Sequence, residues 1–234
     1  SQKIKTEKII EFHRLIKRRS FKEPIAYILE EKEFWSKNFI VNKNALIPRP
    51  ETELMVEKIV KIFKTKDIFI LDIGTGTGCI LLSILSELKN SKGIGIDISQ
   101  KAIQIAKQNL KKHKLSHQIK FLRKSLTQIY RQKFDLIVSN PPYLKNKELE
   151  NISYEIKKFE PIIALNGGED GLDFYRKFSR ILPKIMKKNA YLVLEIGEDQ
   201  FFDCLDIFGD SLLKFQKKIQ DLQKKDRIMV FSKL

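Results

Sequence analysis

The sequence predicts an α/β fold, a mainly parallel, doubly wound sheet with helices on both faces. Three observations predict it. Short apolar runs alternate with helical segments through residues 68–139, a glycine-rich loop sits where the first run meets a helix, and a proline-stiffened corner closes the fourth run. At 234 residues and 42% hydrophobic content the chain can bury one full-sized core with a small appendage.

The elements follow in order. Residues 1–20 read as a helix, because Ile9, Phe12, Leu15 and Ile16 recur at helical spacing among lysines and glutamates, and Pro24 breaks it. Between Lys32 and Pro48 aromatic and β-branched residues dominate. Asn42-Lys43-Asn44 offers a turn there, so a β-hairpin linker is expected. Pro50 opens a helix with Glu51 and Glu53 in its first turn, where the dipole favours carboxylates, and with Leu54, Ile59, Ile62 and Phe63 on one face. Strands are then expected at Ile68–Ile73, Gly93–Ile98, Ile119–Leu122, Phe134–Ser139 and Ala190–Ile196, with Leu212–Phe215 and Arg227–Ser232 closing a seven-stranded sheet. Helices are expected at 80–88, 101–112 and 172–187.

Composition sets the limits of function. No apolar run approaches the ~20 residues of a bilayer span, so no membrane role is expected. Two cysteines, Cys79 and Cys204, are too few for a disulfide framework, which fits a reducing cytoplasm. His13, His113 and His117 do not cluster with other ligand residues, so no metal site is expected. Trp35 and Tyr27 read as linker packing. The chain opens with Ser1, so the N-terminal segment reads as the remnant of something longer. The net charge of +16 suggests a polyanionic partner, but the lysines are scattered through every segment, which is also how solvated helix faces look.

Two loops carry the chemistry. Asp72-Ile73-Gly74-Thr75-Gly76-Thr77-Gly78 follows the first strand, at the edge where open α/β sheets bind ligands. Its alternate glycines allow a tight turn and a close ligand approach. A dinucleotide fingerprint needs glycine where Cys79 stands, so pyrophosphate binding is disfavoured. Asp97, at the end of the second strand, is placed to accept bonds from ribose hydroxyls. Asp72 reads as a structural partner of the loop. Ser139-Asn140-Pro141-Pro142-Tyr143 leaves the fourth strand at the same edge. An amide nitrogen is a poor nucleophile and must be oriented. The Asn140 oxygen and the Pro141 carbonyl can accept its hydrogens, the prolines stiffen the corner, and Tyr143 can lie flat on a planar target group.

The glycine loop with its spaced acid resembles the nucleoside pocket of class I S-adenosylmethionine-dependent methyltransferases. The Asn-Pro-Pro-Tyr corner resembles that of methyltransferases acting on adenine amino groups and on glutamine amides. Leu46-Ile47-Pro48-Arg49-Pro50-Glu51-Thr52-Glu53, Phe159-Glu160-Pro161, Gly171-Leu172-Asp173, Leu194-Glu195-Ile196-Gly197 and Lys225-Asp226-Arg227 are similar, in order, to landmarks of the peptide chain release factor glutamine N5-methyltransferases, the HemK/PrmC family. The resemblance covers roughly residues 23–234.

It implies a Rossmann-like methyltransferase domain over 49–234, behind a short N-terminal helical segment (1–31) and a β-hairpin linker (32–48). It implies S-adenosylmethionine as cofactor and class I release factors as protein substrate, methylated on the glutamine of their Gly-Gly-Gln motif; separately, a monomer is expected. Cofactor contacts are expected from Gly74, Thr75, Gly76, Thr77, Gly78, Asp97, Ser125, Leu126 and Asn140. Asn140, Pro141, Pro142 and Tyr143 are expected to hold the glutamine, with Arg49 and Glu53 at the mouth of the site.

The sequence departs from the family at Ser125 and Leu126, where an acid and an aromatic are usual, and at Glu30, which replaces a glycine. The N-terminal segment is also shorter than a full helical domain. A methyltransferase acting on adenine in DNA or RNA is the alternative, favoured by the charge and by the shared corner. Against it, no second domain is large enough to grip a flipped base.

Overall fold

A computed structural model describes residues 5–234. It begins with two helices, α1 (Thr6–Ser20) and α2 (Ile25–Leu29), followed by a hairpin of β1 (Glu31–Phe34) and β2 (Lys37–Ile40). The expected first helix is present from Thr6; its predicted opening at 1–4 lies outside the described residues. Its apolar stripe is not buried, since Ile9, Phe12 and Ile16 all stay exposed. Ion pairs from Arg18 to Glu23 and from Arg19 to Glu155 hold it instead. The first helix ends at Ser20, four residues before Pro24, which instead N-caps α2, a five-residue element too short to show a periodicity of its own.

The hairpin turn lies elsewhere than expected. It is Trp35-Ser36, both residues at φ 52°, the pattern of a type I′ turn, whereas Asn42-Lys43-Asn44 lies beyond the second strand. Neither Trp nor Ser advertises a left-handed turn, and partners stabilise it. Trp35 N–H donates to Glu53 Oε1 at 2.9 Å, and its indole N–H donates to Glu87 Oε1 at 3.1 Å. The inward faces of the hairpin, Phe34 and Phe39, are completely buried. Asn109 fastens β2 to the body. It accepts from Ile40 N at 2.7 Å and donates to the carbonyls of Ile40 and Thr77 at 3.0 and 2.9 Å.

A 3₁₀ turn (Pro50–Thr52) leads into α3 (Glu53–Phe63), and the sheet follows. Its elements in chain order are β3 (Phe69–Ile73), α4 (Cys79–Glu87), β4 (Lys92–Asp97), α5 (Gln100–Lys112), β5 (Ile119–Arg123) and β6 (Phe134–Ser139). Two short helices, α6 (Asn146–Asn151) and α7 (Tyr154–Phe159), precede α8 (Asp173–Ile185), β7 (Met186–Glu195), α9 (Phe201–Gly209), β8 (Leu213–Gln220) and β9 (Asp226–Lys233). The seven strands lie in the order β5-β4-β3-β6-β7-β9-β8. The first five run parallel, and β9 pairs antiparallel to both β7 and β8.

Consecutive strand residues feed two cores. Ile70, Leu136, Val138 and Val230 pack under α3, α4 and α5, while Leu71, Ile137, Leu192 and Phe231 pack under α8 and α9. Two strands are longer than the sequence suggested. β7 starts at Met186 rather than Ala190, across Lys187 and Lys188, which look like a helix end, and Asn189 at φ 60° marks the register shift opposite β6. β8 runs on to Gln220 through residues that are mostly polar and exposed, so periodicity could not extend it.

Glu30, just before the hairpin, adopts φ 58° as it caps α2. A side chain there costs about 1 kcal/mol that glycine avoids. Glu30→Gly is therefore expected to raise the stability to chemical denaturation by up to about 1 kcal/mol; a loss would contradict this account of the turn.

Candidate active site

The chain leaves β3 through a loop with Gly74, Gly76 and Gly78 at φ 71°, 53° and 81°. The loop is tied to β4, because the N–H groups of Gly74 and Thr75 both donate to Ile96 O at 2.9 and 3.0 Å. Asp97, at the end of β4, fixes three elements with one carboxylate. It accepts from Gly76 N at 3.0 Å and from Ser99 N at 2.8 Å, and Ser99 in turn caps α5 by accepting from Ala102 N. From behind, Asp72 accepts the Thr75 hydroxyl at 2.5 Å, the structural role expected of it.

The five loop residues nominated as cofactor contacts divide into two groups. Gly74 and Gly76 line a cavity of 280 Å³ together with Asp97, Ser125, Leu126 and Asn140. Open space lies where a Cβ on Gly74 would stand. Thr75, Thr77 and Gly78 face the protein instead: the two threonines are buried, and a Cβ on Gly78 would lie 2.8 Å from the Phe121 ring. Their work is to shape the loop and let α4 approach the sheet.

The second loop arrives at the same place because β6 runs parallel to β3 with Ser139 beside Ile73. The Ser139 hydroxyl donates to Ile73 O at 2.7 Å across the gap between the two exits. Asn140, Pro141 and Pro142 line the cavity. The Asn140 Nδ2 donates to Thr52 Oγ1 at 3.2 Å, and the Thr52 hydroxyl donates to the buried Glu195 carboxylate at 2.6 Å. Because the amide is planar, its Oδ1 then points away from Thr52.

Tyr143, expected as a stacking wall, lies at the edge of this arrangement. It is partly buried against the core under α8 and does not line the cavity, and burial pushes its phenol pKa above the ordinary value. The carbonyl of Tyr143 accepts from Gln200 Nε2 at 3.0 Å, which turns the corner inward. Aromatic surface in the cavity comes from Phe174 and Phe178 on α8, which the sequence reading did not single out.

Arg49 and Glu53 do not line the cavity either. Arg49 pairs at 2.7 Å with Glu160, which also accepts from Ile47 N, so this buried carboxylate staples the wall at 44–46 to the wall at 161–164. Glu53 holds the hairpin turn. The segment 44–46 was legible only as a turn and a family signature, and its side of the cavity comes from tertiary contacts. Tyr27, on α2 and buried against Val41 and Ile47, braces it by donating to Ala45 O at 2.9 Å.

Charges of both signs stand about the cavity: Asp97, Lys124 and Lys177 line it, and further carboxylates lie behind the two loops. Asp72, Asp97 and Glu195 surround the two loops, and none of the three is ion-paired among the described residues. Burial raises the pKa of Asp72 and of Glu195 to about 7, and also raises that of Asp97. One oxygen of Asp72 has no hydrogen-bond partner. An apolar wall of Ile98 and Leu126, a carboxylate at Asp97 and exposed glycine backbone fit a nucleoside.

The raised Asp72 value has a stability consequence. The folded chain holds this proton more tightly than the unfolded chain, so the group's contribution is fully present below the unfolded pKa and is lost as pH rises through about 7. Asp72→Asn cannot ionise, so its Tm is expected to gain on the unsubstituted protein as pH rises from about 5 to about 8. A Tm difference independent of pH would contradict the assignment.

Residues 64–230 match the methyltransferase domain family. The release factor glutamine methyltransferase of Caulobacter vibrioides is 34% identical over 98% of this chain and 80% of its own length. A bifunctional methyltransferase of Rickettsia typhi is 36% identical over 99% of the chain, which spans only 49% of that protein. A methyltransferase from Pyrococcus furiosus shares the fold with a TM-score of 0.63 at 16% identity, covering 92% of this chain and 95% of that one. The seven-stranded, Rossmann-like sheet expected from the sequence is thus that of a class I methyltransferase, and the chain belongs to the release factor glutamine methyltransferase family.

Proposed function

We propose that this chain uses S-adenosylmethionine to methylate the side-chain amide nitrogen of the glutamine in the Gly-Gly-Gln motif of class I peptide chain release factors. The observation that carries the reading is the orientation of Asn140, whose Nδ2 is tied to Thr52 so that Oδ1 is left to accept a hydrogen bond beside Gly74 and Gly76.

Bound in this cavity, the cofactor would supply an electrophilic methyl group on a positively charged sulfur. Gly74, Gly76, Asp97, Ser125 and Leu126 are the residues to hold it, with Asp97 directed at the ribose hydroxyls. Leu126 and Ile98 offer the base an apolar wall. Asn140 Oδ1 and the Pro141 carbonyl accept the two amide hydrogens of the glutamine and hold its nitrogen in line. Pro141 and Pro142 keep that geometry at small entropic cost. The apolar walls at Ala45, Leu46 and Phe174 exclude water, which strengthens every polar contact inside. Positioning and electrostatics carry the rate, and the surplus amide proton leaves once the nitrogen has gained its methyl group.

Incubation with methyl-labelled cofactor and a class I release factor is expected to label the glutamine, with no label on a release factor whose motif glutamine is replaced, or on DNA and RNA. Label on nucleic acid but not on release factor would overturn the reading in favour of an adenine methyltransferase. Asn140→Ala is expected to lower kcat by at least about 100-fold. Cofactor Kd, measured by calorimetry, is expected to stay within about threefold. An active Asn140→Ala enzyme would refute the assignment.

A further inference from the structure

The Asn140 amide has two ends of similar shape, and only one is useful to an incoming amide. Its oxygen accepts a hydrogen bond from a target N–H, whereas its own NH₂ would meet that group donor to donor. Something must choose between the two. Thr52 Oγ1 lies 3.2 Å from Asn140 Nδ2 and 2.6 Å from Glu195 Oε2. Thr52 and Glu195 are each 2% exposed, so water does not stand in for either partner. A hydroxyl has a single proton. With that proton given to Glu195, only lone pairs face Asn140, and only the NH₂ end can bond there.

We infer that Thr52 and Glu195 are positioning residues that set the direction of the Asn140 amide, so that its oxygen faces the substrate. The inference rests on the proposed glutamine methylation and deepens it. Three segments far apart in sequence meet in this chain of bonds: the 3₁₀ turn before α3, the end of β6 and the end of β7. The polarity of the chain depends on Glu195 being an acceptor only. A protonated Glu195 can donate to Thr52, which frees the Thr52 hydroxyl to donate to Asn140 and reverses the amide.

The groups around Glu195 are Thr52 and Glu51 on the turn before α3, Asn140 and Tyr143 after β6, and Tyr175 on α8, whose hydroxyl donates to the Glu195 carbonyl. Arg227 on β9 completes the set. Burial and Glu51 favour the protonated form, while Thr52, Arg227 and Asn140 favour the ionised one. The balance lies at about 7, so the amide direction responds to pH near neutrality.

The test uses the whole chain with release factor as substrate. Thr52→Val keeps the shape and removes the hydroxyl, Thr52→Ser keeps the hydroxyl, and Glu195→Gln removes ionisation. Thr52→Val is expected to lose about 30-fold or more in kcat, with KM and calorimetric cofactor Kd within about threefold, and Thr52→Ser is expected to restore most of the loss. The unsubstituted enzyme is expected to lose kcat as pH falls through about 7, while Glu195→Gln has a lower kcat without that acid limb.

Equal kcat for Thr52→Val and the unsubstituted enzyme would overturn the inference. So would a loss confined to KM or cofactor Kd, or an acid limb that survives in Glu195→Gln. If Thr52→Val does not fold, as judged by its thermal transition, the Thr52→Ser and Glu195→Gln profiles decide alone. Absence of any release factor methylation by the unsubstituted enzyme would instead sink the parent proposal, so the two failures are distinct.

Discussion

The site exists because β3 pairs in parallel with β4 on one side and with β6 on the other. Parallel pairing places the three carboxyl ends on one edge, and the reversal of strand order around β3 opens a crevice there between loops that turn in opposite directions. The Ser139 to Ile73 bond sets the width of that crevice at the point where the glycine loop and the Asn140 corner leave the sheet. The two cores serve this arrangement, since the alternation of Ile70 with Leu71 and of Ile137 with Val138 holds helices on both faces and keeps the register of the edge.

Around this edge stand four carboxylates, Asp72, Asp97, Glu160 and Glu195, with Lys124 and Lys177 on the cavity wall. Glu160 accepts from Ile47 N and Arg49 and so fastens the cavity walls, while Asp97 accepts one backbone N–H on each oxygen and keeps further lone pairs for the cavity it lines. Asp72 and Glu195 are more deeply buried, and each accepts from one threonine hydroxyl. A buried carboxylate without an ion pair is costly, and the cost is reduced by a cationic ligand nearby or by taking up a proton. A charged cofactor and a pH-sensitive hydrogen bond are therefore two responses to the same burial.

What was legible in the sequence is what local chemistry dictates. Alternating glycines after an apolar run, an acid at the next strand end and Asn-Pro-Pro after a fourth run located both loops, and β6 has the expected limits. Residues whose role depends on distant partners were not legible. Thr52 looks like a helix-start residue and Glu195 like part of a strand, and they are 143 positions apart in the bond that joins them. Trp35-Ser36 turns the hairpin without a glycine or an asparagine, and Glu53 supports it instead of facing the site. Tyr143 sits next to site residues in sequence, yet the inward turn of the corner leaves its ring partly buried against the core. Sequence adjacency identified the loop, while packing decided which of its side chains reach the cavity.

In the proposed complex one cavity brings the cofactor's sulfur and the Asn140 oxygen face to face. A crystal structure of the complex with S-adenosylhomocysteine measures this directly. The account predicts the thioether beside the Gly74 and Gly76 backbone, with the ribose on Asp97 and the sulfur open toward Asn140 Oδ1. A cofactor seated in the groove beside β5 near Lys120 and Tyr130, or one whose sulfur is turned away from Asn140, would contradict it.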